Sequence, residues 1–215
     1  LPEVLVRLRS LFDLDAHPDQ IAEHLRSDPK IGSTVRRIPG LRIPGAFDAF
    51  EIAIRAVVGQ QVSVRAASTM MHRLVERLGV PLENPVEGLS LTTPSAEILA
   101  KATTEDLSGL GLTGRRIETL RALAQAVACR EIDLTPGIAP EQLIPRLCQI
   151  PGIGDWTAQY LAMRALSWPD AFASGDLILR RLLGGGSARQ ALQHAEAWRP
   201  WRAYGALYTW QTANL

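Results

Sequence analysis

Two short stretches hold the residues best placed to do chemistry. The first is Leu147-Cys148-Gln149-Ile150-Pro151-Gly152-Ile153-Gly154-Asp155-Trp156-Thr157-Ala158. It reads as helix, tight hairpin, helix. Pro151 halts the first helix. Gly152 and Gly154 permit positive φ and keep side chains out of the turn. The main-chain N–H groups that open the second helix, through Thr157, lack intrahelical partners and suit an anion, most naturally a phosphate. On the other side of the loop, the carbonyls of Cys148, Ile150 and Ile153 could hold a monovalent cation, Na+ or K+, that strengthens such a contact. Taken alone, a Pro-Gly-x-Gly turn is more often a plain corner between helices. The second stretch is Ser174-Gly175-Asp176 before the apolar run Leu177-Ile178-Leu179. As chemistry, Asp176 is a carboxylate held at a helix start, where dipole and N–H donors favour the ionised form. As structure, it is an N-cap, the commoner meaning of an isolated Gly-Asp before a helix.

Helical periodicity dominates the elements that must position these residues. Helices are expected over residues 2–12 and 18–26, and from Asp48, as cap, through Val58. Gly59-Gln60-Gln61 interrupts the pattern, and Ser63 opens a long helix to Leu78. Residues 28–46 are rich in Pro and Gly and read as irregular, and residues 79–94 read as a linker. Short helices are expected over 94–102 and 105–110, and longer ones over 115–129, 141–149 and 155–167. The last span 176–183, 188–198 and 201–212. No run alternates cleanly, so little or no sheet is expected.

Composition bounds the function. The 215 residues, 47% hydrophobic and 21% charged, are those of an ordinary globular chain able to bury a core. Net charge is +1, yet 21 of the 23 basic residues are Arg, whose forks suit phosphate. A GC-rich genome would explain that bias equally well. Pairs such as Arg36-Arg37, Arg115-Arg116 and Arg180-Arg181 form local patches that net charge hides. Two cysteines exclude a four-thiolate zinc site or iron–sulfur cluster and fit a reducing compartment. The four histidines, His17, His24, His72 and His194, lack metal-ligand spacing, and there is no nucleotide-binding glycine loop. No membrane span is expected. The chain opens on Leu1 rather than Met, which reads as a fragment.

The order of hairpin, helix, short loop and Asp176 resembles the helix–hairpin–helix/Gly-Pro-Asp DNA glycosylase superfamily, in particular its bacterial 3-methyladenine DNA glycosylase II branch. Further matches include Pro39-Gly40-Leu41-Arg42-Ile43-Pro44-Gly45, Arg55-Ala56-Val57-Val58-Gly59-Gln60, Val62-Ser63-Val64 and Trp198-Arg199-Pro200-Trp201-Arg202-Ala203-Tyr204. They extend over roughly residues 10–212.

The resemblance implies an all-α fold of two helical lobes with a cleft between them. Residues 49–168 would form the central lobe, with the helix–hairpin–helix at about 142–167, and 1–48 with 169–215 the flanking one. The family's mixed α/β N-terminal domain is expected to lie before Leu1. The implied activity is monofunctional hydrolysis of the N-glycosidic bond of alkylated bases, notably 3-methyladenine, in duplex DNA. The base must be flipped out of the stack, and an abasic site remains. Asp176 matches the family's essential acid. Trp156, Tyr160 and Trp210 match base-pocket positions, and Gly152, Gly154 and Thr157 the contacts to the DNA backbone. Trp156 stands where lyase relatives carry Lys, so no Schiff base is expected. Gln61 stands at the wedge position, where the closest relatives have Leu.

Leu177 replaces an aromatic, and Asp155 puts an acid beside the hairpin. Asp170, a second acid near Asp176, reads as a loop residue. No cofactor is required beyond the possible hairpin cation. The expected setting is the bacterial cytoplasm, at the nucleoid, and a monomer suffices. A non-catalytic DNA-binding module, or a helical scaffold without a DNA role, would keep the hairpin but not turnover.

Overall fold

The computed structural model describes residues 1–135 and 137–213. In chain order the elements are α1 (Pro2–Leu11), α2 (Pro18–Leu25), α3 (Gly32–Arg37), α4 (Ala49–Val58), α5 (Val64–Leu78), β1 (Val80–Val86), β2 (Leu89–Thr92) and α6 (Ala96–Lys101). They continue with α7 (Gly114–Ala128), α8 (Pro140–Leu147), α9 (Asp155–Arg164), α10 (Leu177–Leu183), α11 (Ala188–Ala195), a 3-10 turn (Glu196–Trp198) and α12 (Arg202–Ala213). The fold is helical, as the periodicity implies.

The chain divides into two compact units, Asp48–Gly154 and Leu1–Phe47 with Asp155–Leu215. The expected boundary at 168/169 therefore moves to 154/155. The reason lies in α9, whose Gln159 side chain accepts the Phe172 N–H and whose Trp156 indole bonds Asp176. These ties bind α9 to the flanking segments.

In the Asp48–Gly154 unit, helix starts follow the capping rule. Asp48, Ser63, Ser95 and Thr113 each accept the N–H three residues on. α7 packs on α4 and α6 around fully buried Ile54, Leu99, Leu120 and Leu123. The linker at 79–94 forms a small antiparallel ribbon, with Val80 opposite Thr92 and Val86 opposite Leu89. Pro81 and Pro85 hide its alternation in the sequence, and the turn closes through Gly88 at φ +78°. Residues 105–110 form turns instead of a helix. Asp106 accepts both the N–H and the hydroxyl of Thr103, and its own N–H donates back to Thr103.

In the other unit, α12 packs on α3 and α10. The short α3 sits inside the stretch read as irregular, after a turn in which Asp28 accepts the Lys30 and Ile31 N–H groups. The other Asp28 oxygen accepts the Trp198 indole N–H at 2.7 Å and lies 2.9 Å from His194 Nε2. Tyr204 donates to Asp13 at 2.7 Å, and burial first, then that bond, pushes its phenol pKa upward. The N-terminal helices are thus bonded to the C-terminal ones.

Gly205 of α12 lies against Trp198, and a Cβ there would come within 2.2 Å of the indole ring. An ordinary helix gains about 1 kcal/mol from Gly→Ala. Here Gly205→Ala should instead destabilise by about 1–3 kcal/mol through overpacking. A thermal melt checks the sign.

Candidate active site

Asp176 is the N-cap of α10 and half-buried. Its Oδ1 accepts the main-chain N–H groups of Ile178 at 2.9 Å and Leu179 at 3.0 Å. The same oxygen accepts the Trp210 indole N–H at 3.1 Å, while Oδ2 accepts that of Trp156, also at 3.1 Å. All four partners are neutral N–H donors, and an ionised carboxylate, acceptor-only, answers every one of them. The capping and chemical readings therefore coexist: Oδ1 carries most of the structural load, and Oδ2 keeps more of its accepting capacity.

Three elements bring the group together. α9 supplies Trp156 and Tyr160 one turn apart, on one face. Their rings stack, with centroids 5.4 Å apart and planes 7° from parallel. The loop before α10 is held by the Phe172–Gln159 bond and by the Asp176 N–H, which donates to the Ala173 carbonyl at 2.9 Å. α12 delivers Trp210. Trp156, Tyr160 and Trp210, with Met163, Ala173 and Ala206, line a recess with room for little more than a water molecule. The three aromatic positions and the acid anticipated from the sequence thus stand side by side.

Sequence reasoning missed Arg164. Its Nη1 donates to the Tyr160 hydroxyl at 3.2 Å, and its guanidinium sits 5.5 Å from that ring's centroid. Spacing from Tyr160 by one helical turn was the available signal. Asp170 is not part of this group. It is buried and ion-paired with Arg199 and with Arg202, the latter at 2.9 Å. Leu177 is 76% exposed and Asp155 is exposed at the first position of α9.

The hairpin glycines differ in kind. Gly152 has φ +89°, and a Cβ on it would meet Thr119 Oγ1 at 2.0 Å, so the fold itself excludes a side chain there. A Cβ on Gly154 would meet nothing within 4 Å. Nothing internal demands that glycine, and its bare main chain is open to a partner from outside. Thr157 is 3% exposed. The Ile150 carbonyl accepts the Ile153 N–H at 3.0 Å in the turn. The expected cation donors, the carbonyls of Cys148, Ile150 and Ile153, are hard oxygen ligands spread over this turn. Among the described residues no cluster of three or more His, Cys, Asp or Glu side chains could hold a metal ion.

Gln61 is exposed and left-handed, at φ +53°, between α4 and α5. Gln60 beside it was not anticipated. Its Nε2 donates to the Gly152 carbonyl at 3.0 Å, and its own carbonyl accepts from the Arg116 guanidinium. The turn bearing Gln61 is therefore bonded to the hairpin and to α7. Those partners lie 92 and 56 residues away in sequence, beyond any local pattern.

Comparison with known proteins agrees with this geometry. Residues 54–195 match the family model described as HhH-GPD superfamily base excision DNA repair protein, and residues 1–48 that of the AlkA N-terminal domain. The expectation that this domain lies wholly before Leu1 is corrected to that extent. The chain is 41% identical over 210 residues to a Mycobacterium tuberculosis protein named probable bifunctional transcriptional activator/DNA repair enzyme AlkA, covering 96% of this chain and 42% of that protein. It is 35% identical over 210 residues to Escherichia coli DNA-3-methyladenine glycosylase 2, covering 98% and 72%. Among solved structures, Schizosaccharomyces pombe 3-methyladenine DNA glycosylase in complex with abasic DNA superposes with a TM-score of 0.72 at 26% identity, covering 91% and 97%. No helix among the described residues is long and apolar enough to cross a membrane.

The two glycines should separate in a melt. Gly152→Ala should lower stability by about 1–3 kcal/mol through positive φ and the clash with Thr119, whereas Gly154→Ala should leave it within about 0.5 kcal/mol.

Proposed function

Because the chain belongs to the HhH-GPD superfamily of base excision DNA repair proteins, we propose that it excises alkylated purines, 3-methyladenine foremost, from duplex DNA by hydrolysis. The observation that carries this reading is the Asp176 carboxylate, bonded to the two indoles that line an aromatic recess.

Alkylation at N3 or N7 leaves the purine cationic. When the C1′–N9 bond breaks, its electron pair returns to the ring and the base departs neutral. No general acid is needed to protonate it. The sugar left behind carries oxocarbenium character, and an ionised carboxylate nearby stabilises that charge. Asp176 would supply this stabilisation and orient the attacking water. That water adds at C1′ and loses its proton to the carboxylate or to solvent, leaving an abasic site. Trp156, Tyr160 and Trp210 would attract the cationic base by about 0.5–2 kcal/mol per good contact. The recess is too small for a purine as it stands, so at least one ring must shift to admit the base. A shift of Trp156 would release Oδ2 as the base arrives.

Position 156 offers no amine, so the reaction should stop at hydrolysis. Gly152, Gly154 and the Thr157 N–H would face the backbone of the strand, and Gln61 would fill the gap left by the flipped base. A monovalent cation held by the carbonyls of Cys148, Ile150 and Ile153 would add positive charge beside a phosphate. The protein would work in the bacterial cytoplasm at the nucleoid, and a monomer is sufficient for this chemistry.

The test is release of methylated bases from alkylated duplex DNA. Wild type should release 3-methyladenine, and Asp176→Asn should be slower by on the order of 10²-fold or more while still binding the duplex. Equal release by both would overturn the assignment of Asp176. Binding without release by either would make the chain a DNA-binding module. Borohydride should trap no protein–DNA adduct during turnover; a trapped adduct would show an amine nucleophile.

A further inference from the structure

Outside the acid and hairpin sites, α5 of the Asp48–Gly154 unit carries two exposed arginines, Arg65 and Arg73, on the rim of one groove. Its inner face is closed by buried Met71 and Leu74. Its outer face opens a groove lined by Ser63, Arg65, Ala66, Thr69, Met70 and Arg73. Arg65, Thr69 and Arg73 recur at i, i+4 and i+8 and are all exposed. Some surface arginines sit on carboxylates: Arg7 on Glu3, Arg26 on Glu23 and Arg55 on Glu51. Among the described residues, no carboxylate pairs with Arg65 or Arg73. The one acid on α5, Glu76, is paired with His72 at 3.4 Å.

From this charge pattern we infer that the α5 groove seats the sugar-phosphate backbone of a DNA strand. The groove begins two residues after Gln61, within the same unit. Arg65 and Arg73 lie about 12 Å apart along the helix axis, at ~1.5 Å per residue. Each guanidinium can fork onto a phosphate. Between them Ala66 and Met70 give sugar carbons an apolar floor, while the Thr69 hydroxyl donates to the Arg65 carbonyl at 3.0 Å. The inference rests on the DNA reading above and extends it to residues that make no contact with the acid or the hairpin glycines. These two cations would hold the duplex while Gln61 enters the stack, contributing affinity without sequence preference.

The experiment is the salt dependence of binding to an abasic-site duplex. Each phosphate neutralised contributes about 0.9 to the slope of log K against log salt. Arg65→Ala/Arg73→Ala should make that slope shallower by about 1.8, and Arg65→Lys/Arg73→Lys should retain it. An unchanged slope in a double alanine variant that melts like wild type would overturn the inference. If the double variant does not fold, the single alanine variants decide, each expected to lose about 0.9. Failure of the underlying DNA reading looks different: wild type itself would then show no salt-dependent binding.

Discussion

A half-buried carboxylate must find hydrogen-bond donors or lose its charge, and the way Asp176 meets that demand organises the Leu1–Phe47 and Asp155–Leu215 unit. Two donors come from the first turn of α10 and two from indoles on α9 and α12. The same bonds that satisfy the acid therefore aim the aromatic walls. Acid and walls form one assembly, so replacing either tryptophan alters both the recess and the group beside it. Low local dielectric makes each of these bonds matter more than it would in water.

Other aspartates of that unit show how much environment decides. Asp28 and Asp170 are also half-hidden or buried, yet each is consumed by structure. Asp28 fixes the turn before α3 and holds Trp198, and Asp170 is enclosed by Arg199 and Arg202. Asp13 accepts from Tyr204 and from the Ile43 N–H. Asp176 instead bonds two indoles that line the aromatic recess, and these partners are neutral donors. A neighbouring guanidinium would offset the carboxylate's negative charge, as Arg202 does for Asp170.

The Asp48–Gly154 unit solves a different problem, which is to present main chain to a partner without strain. Gly152 is needed by the fold, since Thr119 occupies the space of a side chain. Gly154 is not, and so its bareness points outward. Gln60 joins this hairpin to the turn that carries Gln61, giving an exposed, left-handed residue a fixed base.

Much of this was legible in the linear chain. The caps Asp48 and Ser63, the glycine corner and Asp176 before an apolar run all depend on neighbours a few residues away, and local rules read them. The β1–β2 ribbon was hidden because its prolines break the alternation. The transfer of α9 to the flanking unit, the bond from Gln60 to Gly152 and the second indole on Asp176 were decided only by tertiary structure. Each joins residues far apart in sequence, where no period or spacing links them. Sequence alone determined which chemical groups exist and where helices begin, since backbone propensity and capping are local. Which of several aspartates would meet two tryptophans, rather than two arginines, was decided by packing, because only a folded core brings distant side chains within hydrogen-bond reach.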